Sequence, residues 1–145
     1  MALTGFVSQN HKKLNSRLLQ CAAEHVPAIL IDCANSADPH RFYPAIDLPT
    51  MQQIYVFELE LLHKFRDVLR KVPIYAKKLN AQIIVVTTSD HLFNYHNEDE
   101  NRNVNVHAWQ LMKKIGYSYE IVVGIYPHSE QYHLAKKYCV ELKEI

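Results

Sequence analysis

Three short apolar runs do most to limit how this chain can fold: "AILID" (Ala28–Asp32), "AQIIVVTT" (Ala81–Thr88) and "EIVVGIY" (Glu120–Tyr126). None alternates apolar with polar residues, so each reads as a strand buried on both faces. Strands of that kind need helices above and below, and the intervening segments supply them. Leu14, Leu18, Leu19, Ala22 and Val26 recur at helical spacing, predicting a helix over residues 12–25 that Pro27 ends. Val106, Trp109, Met112 and Ile115 mark a second helix, with Gly116 closing it. A short helix near Ser129–Tyr138 and an extended tail, "CVELKEI", complete the pattern. The expectation is a three-layer α/β/α fold with a mainly parallel sheet, one α/β domain over residues 1–145.

The stretch from Met51 to Val72 admits two readings. Met51, Ile54, Phe57, Leu61, Phe65, Val68 and Val72 recur every three or four positions, which predicts one long helix. Thr50 would cap it after Pro49, and Pro73 would break it. The alternative is a short strand over Ile54–Leu59, where β-branched and aromatic residues cluster. The periodicity favours the helix. After the second apolar run, the acidic stretch "NYHNEDENRNVN" (Asn94–Asn105) reads as a long polar loop, suited to a surface excursion or a partner-binding segment.

Composition excludes several classes. With 16 basic and 15 acidic residues, no global field draws the chain to nucleic acid or membrane. No apolar run approaches the roughly 18 residues that a membrane span needs. The N-terminus lacks a charged-then-apolar secretory pattern. Cys21, Cys33 and Cys139 are odd in number and far apart, which points to reduced thiols and a cytoplasmic setting. Only three glycines occur, so loops built on glycine geometry are disfavoured.

Ligands of open parallel sheets gather at the carboxyl ends of the strands. The polar residues expected there are Asp32, Asn35, Asp38, Asp90 and His128, a set that also suits ordinary turn and helix capping. "ILIDCANSADPHRF" (Ile29–Phe42) resembles the second core strand and following loop of archaeal RecA-type ATPases and recombinase relatives. Asp32, Asn35, Asp38 and Pro39 form its Asp-x-x-Asn-x-x-Asp-Pro pattern, and Phe42 is the apolar anchor. The resemblance implies a RecA/P-loop-like core, with "LTGFVSQNHKKLNSRLLQ" (Leu3–Gln20) at the phosphate-loop position and "IIVVTTSDHLF" as the Walker B strand. It also implies side-by-side assembly with like domains.

The phosphate-loop chemistry is missing. A working loop needs Gly-x-x-x-x-Gly-Lys-Ser/Thr, whose glycines let backbone N–H groups wrap the phosphates. Counting from Gly5, the second glycine position holds Asn10, the lysine position His11 and the hydroxyl position Lys12. Lys12 and Lys13 are the only cations left for weak nucleotide contact. Thr87 or Thr88 stands where an aspartate should close the Walker B strand, and Asp90 comes late. The resemblance therefore implies a degenerate P-loop: a pseudo-ATPase, an accessory protein or subunit in protein or nucleic-acid complexes such as those of DNA recombination and repair. No catalytic residue, metal or cofactor is expected, and the partner is a protein or a second copy of the chain.

A second resemblance is to NYN/PIN-type ribonucleases, whose core begins with Ile-Asp-x-x-Asn, as Ile31, Asp32 and Asn35 do, and continues to a Ser-Asp step like Ser89–Asp90. It implies Mg²⁺ or Mn²⁺ held by Asp32 and Asp90, with Asp38, Glu98 or Asp99 completing the set. A third reading is an α/β domain without a ligand. Nine histidines include no His-x-x-x-His pair, so helical zinc sites are not expected. Four Lys-Lys doublets and Arg66, Arg70 and Lys71 read as a solvated rim or as a nucleic-acid footprint.

Overall fold

The structure is a computed structural model and describes residues 1–33, 45–92 and 98–145. Asn35, Asp38, Pro39 and Phe42 lie outside these residues. Six strands form one sheet: β1 (Leu3–Val7), β2 (Ala28–Cys33), β3 (Ile54–Leu59), β4 (Ile83–Val86), β5 (Ile121–Ile125) and β6 (Glu141–Glu144). Their order is β3-β2-β4-β5-β1-β6, and every pairing is parallel. The helices are α1 (His11–Glu24), α2 (Leu48–Met51), α3 (Leu62–Leu79), α4 (Glu98–Ile115) and α5 (Glu130–Tyr138).

The continuous apolar runs become double-sided strands. Ile29, Ile31, Ile84, Val86, Ile121 and Val123 face α3, α4 and α5, while Leu30, Ile83, Val85 and Val122 face α1 and α2. Burying each such side chain is worth about 1.5–3 kcal/mol. Direction of travel explains the two layers. The chain crosses from β1 to β2 one way over α1, then steps back through β4, β5 and β6 over α3, α4 and α5. Right-handed crossovers put helices laid down in opposite directions on opposite faces. No described helix is long and apolar enough to cross a membrane.

Four expectations are corrected. The long helix from Met51 is instead α2, strand β3 and α3, so Ile54–Leu59 is the strand given as the alternative. Helical spacing misled because β3 is an edge strand: Ile54 and Leu59 are buried, while Tyr55, Val56 and Glu58 are exposed. Thr50 is not the cap; Asp47 is, accepting from the Thr50 N–H at 2.8 Å. Pro73 does not end a helix but sits inside α3. The polar loop ends at α4, whose first turn carries Glu98, Asp99 and Glu100. Carboxylates there favour the positive end of the helix dipole, so what reads as loop acidity is an N-terminal helix signal. The apolar start at Leu3 is β1, an interior strand.

Candidate functional site

Neighbouring strands β1 and β5 send their helices to opposite faces, because α1 and α5 lie on different sides of the sheet. A crevice opens at the carboxyl ends of such a pair. It is a cleft of about 480 Å³ bordered by Ser8, Asn10, Lys13, His128, Tyr132 and Glu144.

The turn from β1 into α1 is three residues long, Ser8 to Asn10. Asn10 caps the helix, its Oδ1 accepting from the Lys13 N–H at 3.0 Å. Its own N–H donates to Ser8 Oγ at 3.1 Å. Gly5 lies inside β1 rather than in this turn. A Cβ on it would come within 2.6 Å of both Ile125 Cδ1 and Leu142 Cδ2, so close packing accounts for the glycine. A phosphate loop places four residues between its two glycines and leaves several amides pointing inward. This turn is shorter, glycine-free and already hydrogen-bonded to itself. Lys12 and Lys13 are exposed on the first turn of α1.

Beside the turn, the His11 and Tyr126 rings stack with centroids 3.9 Å apart. His91 Nε2 lies 3.1 Å from the Tyr126 hydroxyl. Burial raises the Tyr126 phenol above its ordinary pKa of 10.0, and the Asp90 charge adds to the rise, so it stays protonated at neutral pH. After Tyr126 the backbone turns through His128 at φ 67°, in the left-handed region. Ser129 then caps α5, its Oγ accepting from the Tyr132 N–H at 3.3 Å while donating to the Tyr126 carbonyl at 2.9 Å.

Asp90 sits in a 3-10 turn, Ser89–His91, that follows β4. The Thr88 hydroxyl donates to Asp90 Oδ2 at 2.9 Å. Crowding by surrounding protein raises the Asp90 carboxyl pKa, against the lowering effects of the Thr88 and Ser129 hydroxyls and His91. Asp32 is fully buried at the end of β2, in register with Glu58 of β3. The structure thus brings Asp90 and His128 to one edge with His11, His91 and Tyr126. Asp32 enters that edge from β2, on the far side of β4. Among the described residues, no group of three His, Cys, Asp or Glu side chains is placed to hold a metal ion. On α3, Arg66 and Arg70 approach Asp67 at 4.0 and 3.5 Å, which offsets part of the basic stripe.

Sequence reasoning missed His11, His91 and Tyr126. Finding them required recognising β1 as a strand, which would have placed His11 at a strand end opposite Tyr126. Nothing in the composition separates Tyr126 from the other eight tyrosines.

The cysteines offer no activated nucleophile. Burial pushes the Cys33 thiol up to about 12, with the Thr87 hydrogen bond lowering it and the Asp32 charge raising it. Burial likewise pushes Cys139 up to about 12. Both folded-state values exceed the ordinary 9.0, so the unfolded chain releases these protons first. Stability from this source is intact below pH 9 and is lost between 9 and about 12. Urea midpoints measured across that range should fall, and Cys139→Ser should make the fall shallower. An unchanged slope in the variant would contradict the assignment.

The fold and its crevice define a three-layer α/β/α domain with an all-parallel six-stranded sheet. The chain matches no family model and no curated protein.

Proposed function

We propose that this is a RecA-like domain with a decayed nucleotide site, serving as a non-catalytic subunit or accessory factor in a protein or nucleic-acid assembly. One observation carries the reading. At the crevice where a strand–loop–helix unit would cradle phosphate, the chain places a three-residue turn closed by Asn10 and Ser8. The inner position of β1, its hand-over to α1 and the adjoining β5 crevice support the RecA-like part. The loss of the amide nest supports the non-catalytic part.

The sheet edges support an assembly role. The outer strand β6 is Glu-Leu-Lys-Glu, a charged edge of the kind that discourages pairing. At the opposite edge, β3 exposes Tyr55 and Val56, and α3 exposes Ile74 and Tyr75 beside it.

Calorimetric titration with ATP–Mg²⁺ tests the reading, together with a phosphate-release assay on the same sample. The expected result is neither saturable heat nor turnover. Saturable binding at submillimolar ATP, or hydrolysis lost on Lys13→Ala, would overturn it. A saturable Mn²⁺ isotherm abolished by Asp32→Asn would instead favour the ribonuclease reading.

A further inference from the structure

A second pocket, separate from the β1/β5 crevice, lies on the α3/α4/α5 side of the sheet. It occupies about 430 Å³ between the 3-10 turn after β4 and the first turns of α4 and α5. Asp90, Glu98, Arg102, Asn105, Glu130 and Gln131 line it. The spacing 98, 102 and 105 puts the three α4 residues on one helical face.

A buried relay sets the hydrogen-bond polarity of this pocket. Trp109 is 1% exposed, and its indole N–H can only donate. It donates to Gln131 Oε1 at 2.6 Å, which fixes which end of that amide faces the tryptophan. Gln131 Nε2 must then face the other way, and it donates to Asn105 Oδ1 at 3.1 Å. That bond in turn fixes Asn105, leaving its Nδ2 as a donor to which no described residue responds. Asn105 is 6% exposed, and what access it keeps is to the pocket it lines. Nδ2 keeps contact with the open pocket, where water or a ligand oxygen can accept from it. The site therefore presents one oriented donor for a ligand oxygen.

The charge around it has the opposite preference. Glu98 and Arg102 form an exposed i,i+4 pair at 3.8 Å and offset one another. Asp90 and Glu130 remain, two carboxylates without a cationic partner in the pocket lining. The N-termini of α4 and α5 together supply roughly one positive charge, about half at each. The balance is close to one net negative charge, which suits a monocation.

We propose that this pocket binds a small ligand with a primary ammonium next to a hydroxyl or carbonyl oxygen. The ammonium lies between Asp90 and Glu130, and the oxygen accepts from Asn105 Nδ2. The pocket volume falls within the usual range for small-molecule sites. The inference does not rest on the RecA-like reading, since it uses neither the β1–α1 turn nor the β1/β5 crevice.

Trp109 is the single tryptophan in the chain and ends the relay, so its indole N–H resonance reports on the pocket without ambiguity. The full chain is titrated by NMR with three probes: glucosamine, which carries the ammonium beside a hydroxyl, N-acetylglucosamine, which lacks the charge, and glucose. Glucosamine should give a saturable shift of the indole resonance, with affinity at least about tenfold above both neutral probes, the factor expected of one charge-assisted contact. Asp90→Asn and Glu130→Gln, both at exposed positions, should each weaken glucosamine by a similar factor. No saturable shift with glucosamine overturns the proposal, as does equal affinity for glucose or an unaffected Asp90→Asn.

Discussion

Trp109→Ala should destabilise the fold by about 3–5 kcal/mol, the largest effect expected of any single substitution here. The indole is 1% exposed within the core shared by α3, α4, α5 and the sheet, and its ring stacks at 6.4 Å on Tyr138. Truncation leaves a cavity that the surrounding β-branched strand residues, stiff at χ1, cannot fill. It also removes the donor that satisfies Gln131 Oε1. Trp109→Phe separates the two effects. Phenylalanine fills much of the space but orphans Gln131, which should cost about 1–3 kcal/mol. Adding Gln131→Leu to Trp109→Phe should then recover part of that loss, since the orphaned acceptor is gone. Urea denaturation of the three variants checks the series. If Trp109→Phe matches wild type, the 2.6 Å bond contributes nothing and the relay is not a stabilising device.

The parts of the fold legible in the sequence were those whose burial is symmetric. "AILID", "IIVV" and "EIVVGI" are apolar on both faces, and no other environment accepts such runs. The edge strand β3 and the interior strand β1 fail that test. In β3 an apolar end, an exposed middle and a second apolar end imitate helical spacing, so periodicity alone gave the wrong element. In β1, Gly5 interrupts the run because Ile125 and Leu142 fill the space a side chain would take. That vacancy is visible only when three strands are side by side. The candidate site was legible to the same extent. Asp32 lies near the end of one recognisable strand and Asp90 and His128 follow two others, whereas His11 follows β1 and stands in the sequence at the lysine position of a degenerate phosphate loop. The Trp109–Gln131–Asn105 relay spans α4 and α5 across 26 residues and leaves no local signature. It joins three residues that look like one core position, Trp109, and two surface positions, Asn105 and Gln131.

Thr87→Val should cost about 1–3 kcal/mol although the two side chains have nearly the same shape. Thr87 is fully buried just past the end of β4. Its hydroxyl accepts from the Cys33 N–H at 2.7 Å and reaches the Ile31 carbonyl at 3.4 Å. Its backbone N–H also donates to Ile31 O at 3.1 Å. The side chain thus extends the β2–β4 ladder by one step after β4 has ended, and it holds the end of β2 at Cys33. Valine keeps the volume and removes the hydroxyl to which the Cys33 N–H donates. Thr87→Ser keeps the hydroxyl and loses a methyl, so it should cost less, about 0.5–1.5 kcal/mol. Hydrogen exchange supplies the local readout: the Cys33 amide should exchange faster in Thr87→Val and near the wild-type rate in Thr87→Ser. The same geometry explains why a carboxylate would be poorly tolerated where the resemblance expects one. An aspartate here would carry its charge into the β2–β4 ladder, beside the Ile31 carbonyl that the Thr87 hydroxyl reaches at 3.4 Å. A neutral outcome for Thr87→Val would mean that the ladder holds without the hydroxyl, and threonine at this strand end would need another cause.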